Sequence, residues 1–318
     1  MTEYNQGEVF KDSSQKGKDR QWKERKLNNI NLAKAFEELE YKISENIFSC
    51  AEVLRYKQQA DGTLKLYQTW FCKNKLCPIC NWRRAMKYSY QTSLIVDEAI
   101  KRFPKGRFLF LTLTVKNVPG NELNSELSNF AKSFDRLFKR AKVKKNILGY
   151  IRATEITRND DRDDFHPHMH ILVFIKSSYF SGAGDNYISQ DEWVEMWQKS
   201  AKLDYTPVVH IKAVKPKGKN ENDPNGMKKA ILETAKYPTK PIDFDSENIE
   251  VVRDLHEGMY RKRLISFGGI FKEIRKELNL DNIEEGDLIN TSGEDTTSTT
   301  AKEIVAIWNW DRQNYYVR

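Results

Sequence analysis

Three of the chain's five histidines fall within five positions, in Phe165-His166-Pro167-His168-Met169-His170-Ile171-Leu172-Val173. From His168 onward polar and apolar residues alternate and run into an apolar tail, which is the pattern of a β-strand. Side chains two apart on a strand share a face, so His168 and His170 stand side by side while Met169 turns to the core. Adjacent imidazoles on a rigid strand offer two ligands to a divalent cation, with the rest supplied from elsewhere. The alternative is a pair of histidines idle on a solvated strand, because short motifs often arise without function. A third ligand is close in sequence. A strand expected over about 147–157 is joined to the histidine strand by Asn159-Asp160-Asp161-Arg162-Asp163-Asp164, a short polar stretch that suits a hairpin. Antiparallel pairing then sets Glu155 across from the histidines, and its hard oxygen suits Mn²⁺ or Mg²⁺.

All four cysteines lie between positions 50 and 80, as Cys50 and then Cys72, Cys77 and Cys80 in C-x4-C-x2-C. Cys77-Pro78-Ile79-Cys80 has the tight spacing of a zinc knuckle, and four thiolates complete a tetrahedral zinc site with no open position. Such a site is structural. The stretch between alternates and contains Asp61-Gly62, a hairpin signal, and that hairpin can return Cys50 to the other three. Disulfides are the rival reading; a chain with no secretory signal disfavours them.

A further pair has reactive types at a telling spacing. Glu233 and Tyr237 are i and i+4 on a helix expected over about 226–237, which stops at Pro238, so both project from one helical face. One tyrosine among fourteen means little alone. Beside a metal site it has chemistry, since a phenolic oxygen can attack a phosphodiester and a nearby carboxylate can activate water.

The elements that must position these groups can be read around them. Phe108-Leu109-Phe110-Leu111-Thr112-Leu113-Thr114-Val115 is uncharged, aromatic and rich in large apolar residues and threonine, a central strand. Leu123, Leu127, Phe130, Phe134, Leu137, Phe138 and Ala141 recur at helical spacing and give a strongly amphipathic helix. A helix over about 190–202 buries Trp193, Met196 and Trp197, and a strand over 208–214 carries His210, which by itself reads as structural. Residues 215–225 form a basic loop rich in Lys, Gly, Asn and Pro. Trp82-Arg83-Arg84 opens another helix whose basic start could face DNA or solvent. The implied organisation is a basic flexible arm (1–28), a helical and four-cysteine zinc-ribbon-like region (29–105), a core (106–245) and a C-terminal extension (246–318). That extension contains an acidic, Ser/Thr-rich linker and a last apolar strand.

Composition sets the bounds. The chain is 39% hydrophobic and 12% aromatic, enough for a folded core, and its mean hydropathy of −0.72 leaves no stretch suited to a membrane span. Its polar first residues carry no apolar signal region, so the expected location is the cytoplasm. A net charge of +8 and a pI near 9.0 favour an anionic partner, nucleic acid first, over a basic protein with no such partner.

Taken in order, the Thr-containing strand 110–114, the His-Pro-His-Met-His run and Glu233-Thr234-Ala235-Lys236-Tyr237-Pro238-Thr239-Lys240 resemble a known set. They are similar to the three motifs of rolling-circle replication initiators (Rep) of small bacterial plasmids, in the HUH endonuclease superfamily. The closest resemblance is to the single-tyrosine group with a glutamate four residues before the tyrosine, and it covers about residues 45–280. It implies an α+β fold: a central antiparallel β-sheet forming the HUH endonuclease core, with helices on one side and the histidine strand in the middle. A Cys-rich zinc-binding module lies N-terminal to that core. It also implies a site-specific nicking-closing enzyme. His168, His170 and Glu155 would hold Mn²⁺ or Mg²⁺ while Cys50, Cys72, Cys77 and Cys80 hold Zn²⁺. Tyr237 would form a 5′-phosphotyrosyl link and Glu233 would activate water at termination. The implied partners are plasmid origin DNA as a single strand or hairpin and a host helicase and polymerase; a second copy, in a homodimer, is a further candidate that the resemblance does not decide. Rival readings are a relaxase- or transposase-type strand transferase on the same core, and a zinc-stabilised repressor without catalysis.

Overall fold

The structure is a computed structural model, and it describes residues 5–14, 17–181, 186–215, 249–291 and 302–318. Among these, the helices are α1 (Trp22–Glu38), α2 (Ser44–Phe48), α3 (Pro78–Arg102), α4 (Gly120–Lys139), α5 (Ala141–Asn146), α6 (Gln190–Ala201), α7 (Ile249–Gly258) and α8 (Ile270–Glu277). The strands are β1 (Val53–Gln58), β2 (Leu64–Gln68), β3 (Arg107–Thr114), β4 (Ile147–Asn159), β5 (Asp164–Ile175), β6 (Val209–Ala213), β7 (Ile265–Gly269), β8 (Lys302–Asn309) and β9 (Asn314–Val317). They form two antiparallel sheets flanked by helices, so the α+β class read from the sequence is the one observed. No helix of the described residues is long and apolar enough to cross a membrane. The chain divides into two compact units, one of Met1–Lys87, Pro241–His256 and Asn282–Arg318, the other of Tyr88–Lys240 and Glu257–Asp281.

The first unit contains a sheet in the order β2-β1-β8-β9. Its β1–β2 hairpin closes at Asp61-Gly62, where Gly62 takes a φ of 83° and the Thr63 amide and hydroxyl both donate to Asp61 Oδ1. Alternation buries Leu54, Tyr56, Leu64, Leu66, Ile304, Ala306 and Trp308 on one face, as period-two strands require. The N-terminal stretch reaches this sheet: the Gly7 and Phe10 amides donate to the carbonyls of Val317 and Tyr315. Asp12 then accepts from Trp22 Nε1 at 2.8 Å and the Tyr56 hydroxyl at 2.9 Å. Burial pushes the Asp12 carboxyl up, against the pull of Arg20 and these two donors.

The basic start of α3 faces neither DNA nor solvent. Arg83, Arg84 and Lys87 are only 2–3% exposed and donate to main-chain carbonyls. Arg83 reaches Leu288 and Ile289, Arg84 reaches Lys73, Asn74 and Glu284, and Lys87 reaches Asp287. Buried cations need such partners, and here they fasten an irregular segment that lacks a ladder of its own.

The second unit is built on a sheet in the order β6-β3-β5-β4-β7, with the histidine strand β5 at its centre. Leu109, Leu111, Leu113, Met169, Ile171 and Val173 point to one face and pack with Phe130, Phe134 and Leu137 of α4 and with Trp193 and Trp197 of α6. A capping box between Ser189 and Glu192 starts α6. The opposite face is partly covered as well: Phe174 stacks on Phe271 of α8, and Phe103, next to the end of α3, packs edge-on against it. Helices therefore reach both faces, where the resemblance implies one.

The β7–α8 junction depends on a glycine. Gly269 has φ 56° and ψ −144°, a combination that residues with a Cβ scarcely visit. A Cβ there would sit 2.2 Å from the Leu148 carbonyl oxygen. Gly269→Ala is expected to cost at least about 2 kcal/mol, seen as a lower denaturant midpoint; an unchanged midpoint would refute the strain.

Candidate functional site

Register explains the histidine site. On β5, His170 opposes Thr112 of β3 and Ala153 of β4, while His168 opposes Thr114 and Glu155. Directly opposed residues of antiparallel strands share a face, so Glu155, His168 and His170 come together on the face away from α4 and α6. Glu155 Oε2 lies 3.1 Å from the Nε2 of both His168 and His170. The three side chains are partly buried, at 13%, 14% and 27% exposure, which leaves the group reachable.

The other ring nitrogens orient the imidazoles. His168 Nδ1 lies 3.2 Å from the His166 carbonyl, and His170 Nδ1 lies 3.2 Å from Thr112 Oγ1. A carbonyl only accepts, so His168 Nδ1 donates to it, which orients the ring with Nε2 toward Glu155. Burial pushes the Glu155 carboxyl up, but hydrogen bonds and charge from His168 and His170 outweigh it and bring it down to about 2. The group is thus two imidazoles and an anionic oxygen, a donor set that fits a hard or borderline cation. His166 stands apart from this group. Its ring centroid is 5.5 Å from that of His168, and burial and the charge of His168 push its imidazole down.

The cysteines form a second cluster. Cys50 Sγ lies 3.7 Å from the sulfurs of both Cys77 and Cys80, and Cys72 lies 3.7 Å from Cys80. A disulfide needs about 2.05 Å; all four thiols are free, which removes the disulfide alternative. A tetrahedron with Zn–S bonds of about 2.3 Å has edges of about 3.8 Å, so the spacing fits a four-thiolate metal site. The Cys72 and Cys80 amides donate to the sulfurs of Cys50 and Cys77. Burial, first, and neighbouring thiols push Cys50 and Cys77 up. For Cys80, burial acts upward too, but hydrogen bonds from the other three and the Arg84 charge hold it well below the usual thiol range.

Some contributors escaped the sequence reading. Thr112 anchors His170, and Phe110 stacks on its ring at 5.5 Å and 12°; their alternation with Leu109, Leu111 and Leu113 was the available signal. Lys26 donates to the carbonyls of Phe48 at 2.6 Å and Cys50 at 2.8 Å, a contact across more than twenty positions that no local pattern announces. Glu233 and Tyr237 lie outside the described residues.

With both clusters placed, similarity to known proteins can be weighed. Residues 63–316 match the family described as Replication protein. The chain belongs to the Rep family. It is 57% identical over 316 residues to the "Protein rep" of Streptococcus pneumoniae serotype 2, covering 99% of this chain and 97% of that relative. It is 44% identical over 318 residues to the "Protein rep" of Lactiplantibacillus plantarum, covering 98% and 99%. A "Replication protein" of Staphylococcus aureus is 45% identical over 238 residues, covering 73% of this chain and all of the relative. No solved structure matches this Rep sequence significantly. The family that the ordered motifs resemble is the family that these comparisons return.

Proposed function

We propose that this Rep-family chain initiates rolling-circle replication of a plasmid by nicking one strand at the double-strand origin. The observation that carries the reading is Glu155 Oε2 set 3.1 Å from both His168 and His170 on a reachable sheet face. His168, His170 and Glu155 hold one Mn²⁺ or Mg²⁺, and Cys50, Cys72, Cys77 and Cys80 hold a structural Zn²⁺. When bound, the catalytic cation polarises the scissile phosphate and offsets its developing charge.

Tyr237 supplies the nucleophile. Its phenolic oxygen bonds to phosphorus as the phosphorus–3′-oxygen bond breaks; the phenol loses its proton and the 3′-oxygen gains one. The products are a 5′-phosphotyrosyl chain and a 3′-OH that a host polymerase extends after a helicase opens the duplex. The phosphodiester energy is kept in the tyrosyl link, so strand transfer at termination needs no other source. Glu233 activates water for the last cleavage. The rival without catalysis is a zinc-stabilised regulator that binds the origin and cuts nothing.

The test is a single-stranded oligonucleotide from the cognate origin, incubated with the full chain in Mn²⁺ or in EDTA. The expected result is a metal-dependent nick with protein attached to the 5′ end of the downstream fragment. Mass spectrometry of the digested adduct should find the nucleotide on the peptide holding Tyr237. An adduct on another residue would move the nucleophile; tight binding without cleavage in any metal would establish the regulator instead.

A further inference from the structure

β6 is an edge strand, paired only with β3 among the described residues. Its register sets His210 against Thr112 and Lys212 against Phe110. Both therefore lie on the face that carries His168, His170 and Glu155. The residues they oppose are the two that hold His170 in place: Thr112 through its hydroxyl and Phe110 through its ring. The Lys212 ammonium stands over that same ring, 5.8 Å from its centroid. With strands about 4.8 Å apart, β6 side chains start roughly 10 Å from those of β5.

His210 and Lys212 are exposed, and among the described residues Lys212 meets no carboxylate. An exposed cation–π contact gives only about 0.5–1 kcal/mol, so folding alone makes little demand for a positive charge there. One bland role does exist, because an outward lysine on an edge strand deters pairing with another sheet. It does not explain why the charge stands on the site face, two strands from His168 and His170. A polyanionic strand laid across the sheet from this edge to the site would meet Lys212 first.

We infer that Lys212 and His210 bind the sugar–phosphate backbone of the cleaved strand next to the scissile phosphate. Lys212 neutralises one phosphate, and His210 donates a hydrogen bond to a backbone oxygen. This rests on the reading of the His168–His170–Glu155 group as the place of cleavage.

Lys212→Met keeps the aliphatic stem over Phe110 and removes the charge. Affinity of the full chain for a labelled single strand from the cognate origin would be measured across roughly 50–200 mM salt, in EDTA so that nothing is cut. Losing one phosphate contact on a single strand should reduce the slope of log K against log salt by about 0.7. Lys212→Arg should keep the wild-type slope, and His210→Ala should weaken binding without changing it. A wild-type slope in Lys212→Met overturns the inference, as does aggregation with the slope unchanged, which would assign Lys212 to edge protection. Should Lys212→Met melt early, Lys212→Gln read against Lys212→Arg decides the same point. Wild-type protein that binds no Mn²⁺ and never nicks would sink the cleavage-site reading, whereas the slope change in EDTA reports on the backbone contact alone.

Discussion

His168→Ala is expected to lose Mn²⁺ binding and metal-dependent cleavage together, with the nicking rate falling by at least about 10³-fold, equivalent to roughly 4 kcal/mol of lost transition-state stabilisation. The size follows from how few ligands the protein offers. Glu155, His168 and His170 form the only His-containing group of possible ligands among the described residues, and removing one leaves a carboxylate and a single imidazole. The loss compounds at Glu155, because His168 supplies one of the two imidazole contacts that offset burial of its carboxyl. Without it, burial of that carboxyl has less opposition. Tyr237→Phe is the informative partner. It should also abolish cleavage and the covalent adduct, yet leave Mn²⁺ affinity and DNA binding near wild type. Calorimetric titration with Mn²⁺ and a denaturing gel would separate the two variants. If His168→Ala still nicked at the wild-type rate in Mn²⁺, the metal assignment would be finished.

What could be read beforehand divides along physical lines. The β4–β5 hairpin was legible because both strands alternate and a short polar turn joins them, which is enough to set Glu155 opposite His168. The amphipathic α4 and the cysteine knuckle were legible for the same reason: their signals are local. Pairing between distant segments was not. β1 finds β8, with Val53 opposite Ile307, through complementary faces that no period within either strand reveals. Arg83, Arg84 and Lys87 look in sequence like any basic helix face, and the carbonyls of residues 73, 74 and 284–289 give them another role. His210 reads as a lone structural histidine until register puts it on the site face. In each case the missing information was a long-range partner, and partner choice depends on packing and hydrogen-bond satisfaction across the whole unit.

Cys77→Ser should produce the largest change in stability. Structural zinc contributes about 10–16 kcal/mol of apparent binding free energy in isolated finger peptides, and a larger fold that is stable in part without metal would lose several kcal/mol of that order. Cys50, Cys77 and Cys80 are fully buried, at a spacing that suits one central cation. Lys26 adds a second cost. Its ammonium is buried, which pushes its pKa down, and the charge of the neighbouring cysteines works in the other direction. With the thiolate cluster broken, that ammonium keeps its two carbonyl partners but loses anionic charge beside it, and an undercompensated buried cation destabilises the fold. The variant should therefore bind one fewer zinc per chain, unfold at a lower denaturant concentration and become sensitive to proteolysis between residues 50 and 80, while Mn²⁺ binding at His168 and His170 persists. Treating the wild type with a strong zinc chelator should reproduce the effect. Zinc content measured by atomic absorption decides the matter: a Cys77→Ser protein with the wild-type complement would show that these four thiols do not share one ion.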